Sequence, residues 1–169
     1  MHHTWKHHLC GVLFLTMAAL AALSGACGDG SSISASSGAV VLNEIHCHDR
    51  DWVEMVNATQ AEVDMSNWAV ADDLTKDGHQ YAIPEGTLIQ PGEHLVVRQE
   101  QDLESGFTFG LKCGEDTVYL VDDAGDVVDQ VDIAVVPEDL TFGHLPDITG
   151  LWRETAPTEG YANQAPATE

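Results

Sequence analysis

Short apolar runs with every second position polar recur along this chain, and the clearest lies at residues 40–57, VVLNEIHCHDRDWVEMVN. Two stretches rich in β-branched and aromatic residues flank a polar corner, the pattern of two pleated, half-buried strands. In the second stretch Trp52, Glu54 and Val56 fall on one face, and Val53 and Met55 on the other. Further runs follow the same rule. Val63 and Met65, then Trp68 and Val70, flank a Ser-Asn turn, and Gln80–Ile83 is stopped by Pro84-Glu85-Gly86. Gln90-Pro91-Gly92-Glu93 has its Pro and Gly where a type II turn needs them, and leads into His94–Arg98. Phe107, Phe109 and Leu111 alternate with polar or small residues, which predicts another strand. Thr117–Val121 and Val127–Ile133 flank Asp122-Asp123-Ala124-Gly125-Asp126, a hairpin, and Thr141–Leu145 is a last short strand. The remaining tail, with Pro146, Pro157 and Pro166, reads as loop. Apolar spacing of the helical kind is missing. The expectation is an all-β fold, a β-sandwich of about eight or nine strands.

One stretch breaks the pattern. Leu9–Leu23 is apolar throughout and follows a weakly cationic start at Lys6. Its fifteen residues are too few for an ordinary membrane helix and suit the core of a signal peptide over residues 1–26. It ends Leu23-Ser24-Gly25-Ala26-Cys27, which resembles a bacterial lipoprotein cleavage box with Cys27 as the lipidated residue. Ser24 departs from the usual aliphatic residue of that box, so plain secretion is the alternative. Each buried acyl methylene would contribute about 0.8 kcal/mol to anchoring. Residues 27–38 then form the anchor and a Gly/Ser-rich tether with a reach of about 20 Å. The expected location is the cell envelope, with membrane contact through the lipid alone.

Of 169 residues, 28 are acidic and only six are Lys or Arg, giving a formal net charge of −22. All the acids follow residue 28. Such a surface repels nucleic acid and anionic lipid, and excludes DNA or RNA as a partner. Past the anchor the thiols are Cys47 and Cys113. In an oxidising compartment they are disulfide candidates, closing a loop whose chain-entropy contribution is up to roughly 4 kcal/mol.

His46 and His48 sit two apart around Cys47 and are the first candidates for metal, although zinc in a structural site takes four ligands. Asp72, Asp73 and Asp77, and Asp122, Asp123 and Asp126, lie in turns and lack the alternating spacing of a calcium loop, leaving weak Ca²⁺ or Zn²⁺ binding as the alternative use. Glu44 and Glu54 form a conceivable carboxylate pair on the opening strands, but capping of backbone groups is the simpler use. A nucleophile elbow, a phosphate loop and a His-Glu-x-x-His helix are all absent. The expectation is a protein that is not an enzyme. Tyr119 and Trp152 are candidate partner-facing aromatics.

An ordered series of segments resembles the lamin tail domain family. It comprises Asn43-Glu44-Ile45, Asp51–Asn57, Val63–Trp68, Ile83–Thr87, Gln90–Val97 and Asp123–Asp129. It continues with Thr141–Asp147, Trp152 and Ala156–Asn163, so that it spans residues 39–163 and leaves 164–169 as a tail. His144 stands where the bacterial pattern often has Arg, and Glu159 where it often has Pro. The resemblance implies an immunoglobulin-like sandwich and a non-catalytic interaction module that binds a protein or surface polymer. A metal- or calcium-binding exported protein is the alternative.

Overall fold

The computed structural model describes residues 38–168, all within the second of the two units into which the chain divides. The predicted leader over residues 1–26 and the anchor Cys27 lie outside them. The described residues form eleven strands and no helix.

A five-stranded antiparallel sheet has the order β11 (Leu151–Thr155), β10 (Thr141–Leu145), β1 (Val40–His46), β2 (Trp52–Asn57), β7 (His94–Arg98). A four-stranded sheet has the order β5 (Gln80–Ala82), β4 (Ala69–Ala71), β8 (Thr117–Val121), β9 (Val127–Asp132). A small pair, β3 (Val63–Asp64) with β6 (Leu88–Ile89), stands beside them. Leu42, Ile45, Val53 and Met55 of one sheet share an apolar core with Val70, Val118, Leu120 and Val131 of the other, giving a β-sandwich.

The count exceeds the sequence expectation for a local reason. β6 is two residues long, too short to show a period, and β11 lies in the tail expected to be loop. In the opposite direction, Phe107–Leu111 is not a strand. Its alternating side chains are buried as the pattern requires, yet its backbone is satisfied one group at a time. The Phe107 N–H donates to the Arg98 carbonyl (3.1 Å), the Gln99 amide donates to the Phe109 carbonyl (3.0 Å), and the Leu111 N–H donates to Asp51 Oδ2 (2.6 Å). Alternation reports burial; it does not require a neighbouring strand.

The opening hairpin sets the geometry of everything below. Its turn places Asp49 in the left-handed region (φ 57°), which a short polar side chain tolerates. Register slips once between Leu42 and Glu44, where Asn43 is the extra residue of a β-bulge. The bulge changes the phase of β1. Leu42 opposite Met55 and Ile45 opposite Val53 face the core, while Glu44 opposite Glu54 faces outward. In a regular strand Glu44, two residues after Leu42, would share its face and point into the apolar layer.

Candidate functional site

Two groups of polar side chains concentrate the chemistry of the sandwich. The first lies on the outer face of β1, β2 and β7. Asn43, Glu44 and Glu54 are fully buried although they face away from the core. Their cover is the segment after β11, residues 156–164, which crosses this face and returns to pair Ala156 with Gln164.

Glu44 accepts from the Thr141 hydroxyl, from the Thr158 N–H (3.2 Å) and from the Thr158 hydroxyl (2.7 Å). Glu54 accepts from the Asn43 amide (2.8 Å) and from the Gly160 N–H (2.7 Å). Asp147 Oδ1 accepts from the Asn43 amide (3.0 Å) and the Asn163 N–H (2.9 Å). The Asn163 amide donates to the carbonyls of Asn43 (2.9 Å) and His144 (3.0 Å). Gly143 makes this approach possible, since a Cβ there would lie 2.9 Å from both Asn163 Nδ2 and Thr155 Oγ1.

Burial dominates the electrostatics. It pushes the Glu54 carboxyl up to about 7, against the Asn43 and Gly160 donors, with the charges of Glu44 and Asp147 adding to the rise. It raises Glu44 as well, against its Thr141 and Thr158 donors. His94 Nε2 is buried at 3.4 Å from Asp147 Oδ2 and 3.9 Å from Glu54 Oε1, but is not aligned for a hydrogen bond with either. The contact is one of charge when the ring is protonated. Glu44 and Glu54 are thus a carboxylate pair whose oxygens hold the backbone and side chains of the covering segment, a fastening rather than an open acid–base couple. His94 entered the sequence reading only as the first residue of a strand. Asn43, Asp147, Thr158 and Asn163 entered the sequence reading only as members of the family-like segments and with no role of their own, although two consecutive polar residues inside the apolar run at 43–44 are the visible mark of the bulge.

The second group lies at the hairpin corner. Cys47 and Cys113 form a disulfide with their Cα atoms 5.5 Å apart, tying the end of β1 to the loop before β8. His48 Nε2 is 3.1 Å from the Val136 carbonyl and 3.2 Å from Cys113 Sγ. His46 is engaged elsewhere. Its ring stacks on Trp52 at 5.8 Å with a 4° interplanar angle, and its Nδ1 lies 3.2 Å from the Arg50 carbonyl. Among the described residues, the group of ligand-bearing side chains that converges within 4.8 Å is Cys47, His48 and Cys113. The rings of His46 and His48 lie edge to face with centroids 6.1 Å apart, and His48 also faces the disulfide. Asp51, at the base of the same corner, is raised by burial despite its Leu111 N–H donor and the nearby His46 and His48.

The remaining candidates serve local turns. Asp122 Oδ1 accepts from the N–H groups of Ala124 (3.0 Å) and Asp126 (2.8 Å), and Asp73 Oδ1 from the Thr75 N–H and hydroxyl (both 2.8 Å). Asp72 pairs with His79 at 2.8 Å. Trp152 is half-buried, tilted against Phe142 and His144 with centroids 5.2 Å and 4.4 Å away.

The family model described as the Lamin Tail Domain matches residues 33–134. The chain belongs to the lamin tail domain family. The match covers the sandwich from β1 to β9, whereas β10, β11 and the covering segment follow it. This lamin tail domain thus receives two strands of its larger sheet, and the cover of its buried carboxylates, from residues beyond the matched range. At the two positions where the sequence departs from the family pattern, His144 Nδ1 lies 2.6 Å from the Gly150 carbonyl, and Glu159 pairs with Arg98 at 2.5 Å. No curated protein matches the chain.

Proposed function

We propose that this protein is a non-catalytic interaction module of the cell envelope, exported by its N-terminal segment, held by lipid at Cys27, and binding another protein or a surface polymer. Membership of the lamin tail domain family carries the reading, since that family is an immunoglobulin-like interaction module. The chemistry of the outer face supports it: the carboxylates that could have served as an acid–base pair accept from the domain's own donors. The acidic surface supports a partner that is neutral or basic.

β11 supplies a place for such a partner. It is the outer strand of the five-stranded sheet, and among the described residues no strand pairs its far side. An edge of this kind accepts an added strand by main-chain hydrogen bonding. Exposed Leu151, at the start of β11, would lie beside it.

The test has two arms. Mass spectrometry of the mature N-terminus should find a lipidated Cys27; an unmodified residue 27 at or after a cleaved end would replace anchoring by secretion. Cross-linking of the full chain in envelope extracts should capture a partner whose yield falls when Leu151 is changed to Asp or β11 is interrupted by Pro. Equal capture by these variants would remove the edge from the account.

A further inference from the structure

The hairpin corner carries a site that the interaction reading does not use. We propose that Cys47, Cys113 and His48 form a reduction-gated binding site for zinc or a similar borderline-soft divalent cation.

Zinc ligation by thiolate and imidazole asks for Zn–S of about 2.3 Å and Zn–N of about 2.0–2.1 Å in a tetrahedral array. Those bond lengths place two thiolate sulfurs about 3.8 Å apart and each sulfur about 3.6 Å from the ring nitrogen. The ring nitrogens of His48 lie 3.2 Å (Nε2) and 3.9 Å (Nδ1) from Cys113 Sγ, on either side of that requirement, so a small turn of the ring brings Nδ1 into place. Its other nitrogen, Nε2, is 3.1 Å from the Val136 carbonyl. Donation of the Nε2 proton to that carbonyl fixes the tautomer and leaves the Nδ1 lone pair free. A ring N–H bonded to a backbone carbonyl is the usual second contact of a metal-bound histidine. The Cα separation of 5.5 Å lets the two sulfurs open by side-chain rotation alone. Asp51 lies close enough to His48 to couple with its charge and adds a carboxylate beside the corner.

The gate is the disulfide. Its sulfurs have no thiolate charge to give a cation, so the oxidised corner offers a single imidazole. An external dithiol opens it by exchange: one thiolate attacks a sulfur of the Cys47–Cys113 bond, and the second resolves the mixed disulfide. The dithiol leaves as a disulfide, having supplied two electrons and two protons, and Cys47 and Cys113 become thiols. Zinc then displaces both thiol protons and binds the two sulfurs and His48, leaving one position for water or for a ligand from a partner.

Cobalt(II) is the probe, because thiolate-to-cobalt charge-transfer absorption reports sulfur ligation directly. The full chain with Cys10→Ser and Cys27→Ser keeps only the corner thiols, and the N-terminal histidines cannot produce that band. The reduced chain should bind one equivalent of Co²⁺ with thiolate charge-transfer and tetrahedral visible bands that one equivalent of Zn²⁺ removes. The oxidised chain should show none. His48→Ala, which keeps both thiols, should weaken cobalt binding at least tenfold. Near-UV circular dichroism follows the fold: a reduced chain that unfolds and regains its spectrum with metal supports the site, and one that metal does not restore refutes it. Absence of the charge-transfer band after reduction, or an unchanged affinity in His48→Ala, overturns the proposal.

Discussion

The inner and outer faces of β1 and β2 are equally shielded from water, but by different means. Inward, Leu42, Ile45, Val53 and Met55 meet the apolar layer of the second sheet. Outward, Glu44 and Glu54 meet the polar groups of residues 156–163, more than a hundred positions along the chain. The inner contact is non-directional and grows with buried area, so many apolar sequences would satisfy it. The outer contact depends on each donor reaching its acceptor, because a buried carboxylate without donors costs several kcal/mol. One face therefore gives the domain its stability, and the other fixes where its tail lies.

The largest effect that tests this contrast should come from the inner face. Leu42→Ala should lower the unfolding free energy by about 3–5 kcal/mol, read by urea denaturation, because the site is fully enclosed and collapses poorly. Loss of stability there should be global, with hydrogen exchange accelerated throughout the sheet.

Next comes pH. Glu54, with an ordinary value of 4.5, is held near 7 in the fold, and Glu44 is raised in the same direction. The folded chain thus binds more protons than the unfolded one between about pH 4.5 and 7. Stability must fall as pH rises through that window and level off above it. Glu54 alone accounts for roughly 3 kcal/mol of this slope at about 1.4 kcal/mol per unit. Denaturation at pH 5 and pH 7.5 measures it. Glu54→Gln should flatten the slope, whereas a slope of unchanged size would assign it to other groups.

A smaller and more local effect belongs to the tail. Asn163→Ala removes donors to the carbonyls of Asn43 and His144, and should cost about 1–3 kcal/mol. Proteolysis should accelerate within residues 156–164 before the core opens. Smallest of all is the surface pair Arg98–Glu159, both partners partly exposed, where Arg98→Ala should change stability by less than about 1 kcal/mol.

The inner face was legible from the sequence because alternation is a local property: Val53 and Met55 against Trp52, Glu54 and Val56 is the division the structure shows. The outer face was only half legible. The Glu44/Glu54 pair and its capping role could be named, but its partners depend on which distant segment lies across the sheet. Thr158, Gly160 and Asn163 have no periodicity that marks them. Phe107–Leu111 taught the converse, since its alternation is real and its strand is not: Asp51 and Gln99 side chains replace the ladder. At the corner, sequence spacing brought His46 and His48 to notice, and the structure sets their rings edge to face at 6.1 Å; the stacking of His46 on Trp52 and the approach of Cys113 to His48 were not legible.

Amide hydrogen exchange at Thr158 and Gly160 tests the closed outer face most directly, because these N–H groups donate to Glu44 and Glu54. Both amides should exchange slowly in the native chain. In Glu44→Ala the Thr158 amide should become fast while those of β1 and β2 stay protected. Free exchange of both amides in the unmodified protein would mean that the tail does not cover the sheet, and would contradict the account.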